Sequence, residues 1–86
     1  MRDFSTEVRA LLLLIVRSLV DAPDAATVQL NRAASPMTFE VRVAPNDIGK
    51  IIGKQGRTAR SIRIIIAGCA HTFKHPPVAI DIAPNG

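Results

Sequence analysis

The 86-residue chain has no tryptophan and no tyrosine, and only three phenylalanines, Phe4, Phe39 and Phe73. Its core must therefore be assembled from Ile, Leu, Val and Ala, and few rings are left over for stacking on a flat ligand. Cys69 is the only cysteine, which excludes an intrachain disulfide and a cysteine-based zinc site and suits a reducing cytoplasm. Its place on an apolar stripe favours an inert core thiol over a nucleophile. Long apolar runs are missing too. The seven residues Ala10 to Val16 resemble a signal-peptide core, but Arg2 and Arg9 are offset by Asp3 and Glu7, and Arg17 interrupts the run. The run is also far too short to span a bilayer. A soluble, cytoplasmic protein without a membrane segment is expected.

Chemistry is scarce as well. The Asp and Glu residues are dispersed, Ser18 and Ser61 have no evident base, and no acid and base pair stands out, so no catalytic residues and no cofactor are expected. His71 and His75 have a spacing that can hold a metal, but they flank a proline-containing loop without a clear third ligand. Solvated loop histidines are the better reading, and no metal is expected.

What is present is a globular pattern, with 48% hydrophobic and 21% charged residues and room for one domain, residues 1–86. Phe4, Val8, Leu11, Leu12, Ile15 and Leu19 recur at steps of mostly three and four, predicting a helix over residues 3–21 with that face buried. Leu13, Val16 and Val20 fall on its other side. Pro23 then breaks the pattern. Thr27 to Asn31 and Thr38 to Val43 alternate polar and apolar residues and read as an antiparallel hairpin within 26–43. Pro45-Asn46-Asp47 carries turn and N-cap chemistry and opens a short helix through Ile48 and Ile52. A longer helix from Arg57 to about Ala70 would bury Ala59, Ile62, Ile66 and Cys69. Val78, Ile80 and Ile82 give a last strand, ahead of a Pro84-Asn85-Gly86 tail. The order α-β-β-α-α-β predicts an α+β domain with three helices on one face of a three-stranded sheet, residues 46–82 forming its second part.

The charge is concentrated. Between Asn46 and Arg63 lie Lys50, Lys54, Arg57, Arg60 and Arg63 against Asp47 alone, and the rest of the chain balances, so this segment carries the whole net +4. That is the footprint of a polyanion site. At its centre Gly53-Lys54-Gln55-Gly56 separates two helices. The glycines let the backbone turn tightly and approach a ligand, and the amides opening the next helix suit a phosphate. Competing glycine motifs fail on spacing. Gly49 to Gly53 leaves three intervening residues where a P-loop needs four, and Gln55 stands in place of the magnesium-binding Ser or Thr. A dinucleotide fingerprint would need a strand leading straight into the glycines.

The stretch VAPNDIGKIIGKQGRTARSIR, from Val43 to Arg63, resembles the signature of the KH domain, whose G-x-x-G loop clamps a single strand against an apolar groove. The helix and strand placed ahead of the core resemble the type II arrangement. Size and element order resemble the small bacterial single-KH proteins of the KhpA family. The resemblance implies binding of single-stranded RNA by Gly53, Lys54, Gln55 and Gly56, with Lys50, Arg57 and Arg60 supplying charge. Ile48, Ile51 and Ile52, with Val41 or Val43, would line the groove. It also implies an RNA chaperone or post-transcriptional regulator, a KhpB (Jag)-type KH partner, and a part in cell-wall and cell-shape control. A protein-interaction or ribosome-associated assembly module on the same scaffold is the alternative. Finally, Ile64, Ala67 and Gly68 project from the side of the long helix that the core does not use. Two small residues beside an isoleucine would admit a second helix closely, so a homodimer, or a heterodimer with another KH protein, is expected there.

Overall fold

The first helix is set by its cap. Asp3 accepts hydrogen bonds from the Thr6 backbone N–H (3.2 Å) and from the hydroxyls of Ser5 (2.5 Å) and Thr6 (3.1 Å), satisfying an amide that the first turn leaves without a partner. The Ser5 hydroxyl above all, then the Thr6 amide, holds this carboxyl below the ordinary aspartate range. In the computed structural model, which describes residues 3–86, helix α1 runs from Phe4 to Leu19. Arg2, counted above against Asp3, lies outside the described residues.

Phe4, Val8, Leu12 and Val16 are buried on α1. The buried row is thus turned from the expected one: Val16 is completely covered, whereas Leu19 is 39% exposed. Both rows satisfy the helical period, and a helix apolar on both sides does not say which of them will meet the sheet.

Strands β1 (Thr27–Asn31) and β2 (Thr38–Val43) pair antiparallel, with Val28 opposite Val41 and Leu30 opposite Phe39. Helix α2 (Ile48–Ile52), a tight turn over Lys54–Gly56, and helix α3 (Arg57–Thr72) follow. Strand β3 (Ala79–Pro84) then lies parallel to β2, giving the order β1-β2-β3. The α+β order α-β-β-α-α-β is the expected one. Val28, Phe39, Val41, Val43 and Ile80 of the sheet join the α1 row, Ile51 of α2 and Ile62, Ile66 and Ala70 of α3 in one core.

Three local expectations change. β3 extends through Pro84, two residues beyond the expected strand end at Ile82. Ala79 N–H donates to Met37 C=O and Asn85 N–H to Val43 C=O, so the backbone groups of the odd-numbered residues point to β2 and those of the even-numbered ones point to the open edge. Pro84 occupies an outward position on an edge strand, where no donor is required. On α3, Ala70 completes the buried row and Cys69 sits half-buried beside it, while His71 and Thr72 belong to the last helical turn. His75 lies in the loop as expected but is only half-exposed. Its ring stacks on Phe4 with centroids 4.0 Å apart, and Phe4 also meets Phe39 and Phe73 edge-on, so all three aromatics gather at one end of the molecule.

Candidate nucleic-acid interface

Two helices meet at the Gly53 to Gly56 loop, and its backbone explains its composition. Gly53 has φ 77° and ψ 173°, a combination that only glycine holds readily, and Gly56 has φ 74° and ψ 12°. A Cβ on Gly53 would also run into the side chain of Thr58 and lie 2.9 Å from its backbone nitrogen. Gln55 itself adopts the left-handed conformation, φ 57° and ψ 27°. Lys54 and Gln55 are exposed at the apex. Gly56 stands at the N-cap of α3 without a capping side chain, leaving the positive end of a sixteen-residue helix beneath the loop.

The five cations of the segment do not act together. Lys50 directs its ammonium to Asp21 (3.2 Å) and lies 3.9 Å from Asp47. Arg63 donates to the Ile80 carbonyl (3.2 Å). Lys54, Arg57 and Arg60 remain around the loop, all exposed, with Arg57 donating to the Gln55 side-chain oxygen at 3.1 Å. Three cations are therefore free to meet a ligand at the loop, while the Lys50 charge is offset by carboxylates and Arg63 keeps its charge but is tied to β3.

The apolar residues divide in the same way. Ile48 and Ile52 are half-buried and accessible, but Ile51 is completely buried, so its expected place in the groove is corrected to the core. Val41 and Val43 are buried as well, because they point beneath the sheet toward the helices. What α2 borders instead is β3, with which it is in contact. The backbone groups of Ile80 and Ile82 point to that edge, although the Ile80 side chain is in the core, and Arg63 already occupies the Ile80 carbonyl. The burial of Val41 and Val43 follows the alternation of Thr38 to Val43, whereas which backbone groups reach the open edge depends on strand pairing and is not written in the sequence.

Asp47 was also missed. Its carboxylate does not cap α2. It is 2% exposed and accepts from the backbone N–H groups of Asp21 (3.2 Å) and Ala22 (3.0 Å), in the turn that follows α1. On the outer side of α3, Ile64 is 62% exposed, and Ala67 and Gly68 are exposed beside it. Among the described residues no group of three or more His, Cys, Asp or Glu side chains is arranged to hold a metal, and no helix is long and apolar enough to cross a membrane.

Comparison with known proteins gives one family. Residues 9–82 match the family model described as KhpA/KhpB, KH domain. The chain is 45% identical over 62 residues to the "RNA-binding protein KhpA" of Clostridium acetobutylicum, covering 72% of this chain and 83% of that one. It is 39% identical over 70 residues to the protein of the same name from Borreliella burgdorferi, covering 81% and 84%. The Mycobacterium bovis protein of that name is 46% identical over 54 residues, 63% of this chain and 68% of the relative. No solved structure matches.

Proposed function

This chain belongs to the KhpA/KhpB family of KH domains, a non-enzymatic family, and from that premise we propose that it binds single-stranded RNA across the Gly53 to Gly56 loop. The observation that carries the reading is the loop itself. Two glycines at positive φ and an exposed Lys-Gln apex sit on the uncapped N-terminus of α3, with Arg57 and Arg60 alongside. Phosphates lie over the loop, where backbone amides and the helix dipole favour negative charge and glycines allow close approach. Bases turn toward Ile48 and Ile52 and toward the outward edge of β3, whose backbone groups can meet base edges. Phe4 and Phe39 are buried in the core and Phe73 stands at the opposite end of α3 from the loop, so base contact is aliphatic packing and hydrogen bonding. Weak binding by one domain and loose sequence preference follow.

Such a module serves as an RNA chaperone or post-transcriptional regulator, acting as a homodimer or with a KhpB (Jag)-type protein. The alternative, a scaffold that mainly docks protein, draws on the exposed Ile64 and Ile65 of α3. Both are compatible in one molecule.

Replacing Lys54 and Gln55 together by Asp tests the RNA reading. Two carboxylates at the apex oppose phosphate while both glycines stay in place, so affinity for a short single-stranded RNA should fall by about tenfold or more with an unchanged circular dichroism spectrum. Arg57→Ala and Arg60→Ala should each lower the slope of log K against log salt by roughly 0.7, equally across RNA sequences. Unchanged affinity in the natively folded double variant would remove the loop from the binding site.

A further inference from the structure

Helix α2 carries the loop, yet it has only five residues and no capping side chain at its start. A helix this short does not hold itself in water and takes its orientation from what it is tied to. It has two ties. Ile51 is sunk completely into the core, and Asp47, at the helix entrance, is buried while making hydrogen bonds outside the helix. Those bonds go to Asp21 and Ala22, in the turn after α1, so the carboxylate fastens the loop-bearing helix to a distant part of the chain. The same turn is fastened at its other end, where the Asn85 side chain donates to the Ala25 carbonyl at 2.7 Å. A buried carboxylate needs a counter-charge as well as donors. Lys50 supplies it, one helical turn along, standing over Asp47 while it pairs with Asp21.

We infer that Asp47 is a positioning residue for the Gly53 to Gly56 loop, and that Lys50 serves as its counter-ion and is not itself a phosphate ligand. The lever is geometric. α2 is about 7.5 Å long, so a tilt of ~10° at its entrance moves the loop by ~1.3 Å, enough to take a phosphate out of hydrogen-bond range. The inference rests on the RNA reading for its binding arm but not for its spectroscopic one.

Four proteins decide it: the unmodified chain, Asp47→Asn, Lys50→Gln, and Ile66→Val as a destabilised control whose substitution lies on α3 away from the loop. Asn keeps the size of Asp47 but replaces one accepting oxygen by a donor, so at most one of the two backbone bonds survives. Asp47→Asn should shift the amide resonances of Gly53 to Arg57 in the absence of RNA and weaken binding of a short single-stranded RNA by about tenfold in the folded protein, at unchanged salt slope. Ile66→Val should lose stability without either effect, which separates positioning from general destabilisation. Lys50→Gln should also leave the salt slope unchanged. Loop resonances and affinity of folded Asp47→Asn equal to those of the control would overturn the positioning role, and a slope lowered by roughly 0.7 in Lys50→Gln would make Lys50 a phosphate ligand. If the unmodified chain bound no RNA, the fault would lie with the function proposed above, and the resonances would still decide what Asp47 does.

Discussion

Gly53 and Gly56 look equivalent in sequence, but the structure gives them different work. Gly56 has a left-handed conformation that other residues adopt at some cost, and a Cβ there would meet nothing within 4 Å. Gly53 combines φ 77° with an extended ψ and faces Thr58 directly. Gly53→Ala should therefore cost about 1–3 kcal/mol in backbone strain plus the displacement of Thr58, whereas Gly56→Ala should cost about 1–2 kcal/mol. Urea unfolding of the two variants measures the difference, and equal midpoints would contradict it. The glycine pair and the charge around it were legible because both are written in residue types at fixed spacing. Asp47 was not, since its partners are backbone amides some twenty-five positions away, brought near only by the fold. Lys50 and Arg63 were counted with the free cations for the same reason: a charge is visible in sequence, and its neutralisation or diversion is not.

At the scale of elements, the strands and helices followed from period and breakers, and the discrepancies fall where two periodic rows compete. On α1 the row Phe4, Val8, Leu12, Val16 reaches the core, while Leu14 stands 65% exposed among equally apolar neighbours. Leu12→Ala should cost about 2–5 kcal/mol through the cavity it leaves, and Leu14→Ala should stay within about 0.5 kcal/mol. Chemical denaturation of both checks the orientation of the helix, and similar losses would mean that α1 is turned. The arginines of α1 have a role that composition does not reveal. Arg9 donates to the Val28 carbonyl (2.7 Å) and Arg17 to the Ala26 carbonyl (3.3 Å), both at the open edge of β1. Arg63 treats β3 likewise, so cations cover carbonyls on both sheet edges and blunt them against pairing with another chain.

For the whole molecule, the blunted edges leave the outer side of α3 as the surface best suited to self-association. A single exposed isoleucine needs no explanation, but Ile64 adjoins Ala67 and Gly68, and Ile65 is 48% exposed next to it. In the proposed homodimer the same patch would meet itself across a two-fold axis, and the small residues would let two antiparallel helices approach until each isoleucine packs against its counterpart. Arg57 and Arg60 start the same helix, so a dimer built this way carries two basic loops in one particle. Two weak grooves on one long strand bind with an effective concentration that neither has alone. Gly68→Glu places a bulky charge in the contact without touching the core, since a Cβ at Gly68 meets nothing within 4 Å. It should give a folded monomer that binds short oligonucleotides as the unmodified chain does and long RNA at least tenfold more weakly, the low end of the gain expected from joining two sites. Sedimentation and titration with RNAs of two lengths measure both effects together. An unmodified chain that sediments as a monomer at micromolar concentration would rule out self-pairing and leave only a different partner to explain this face.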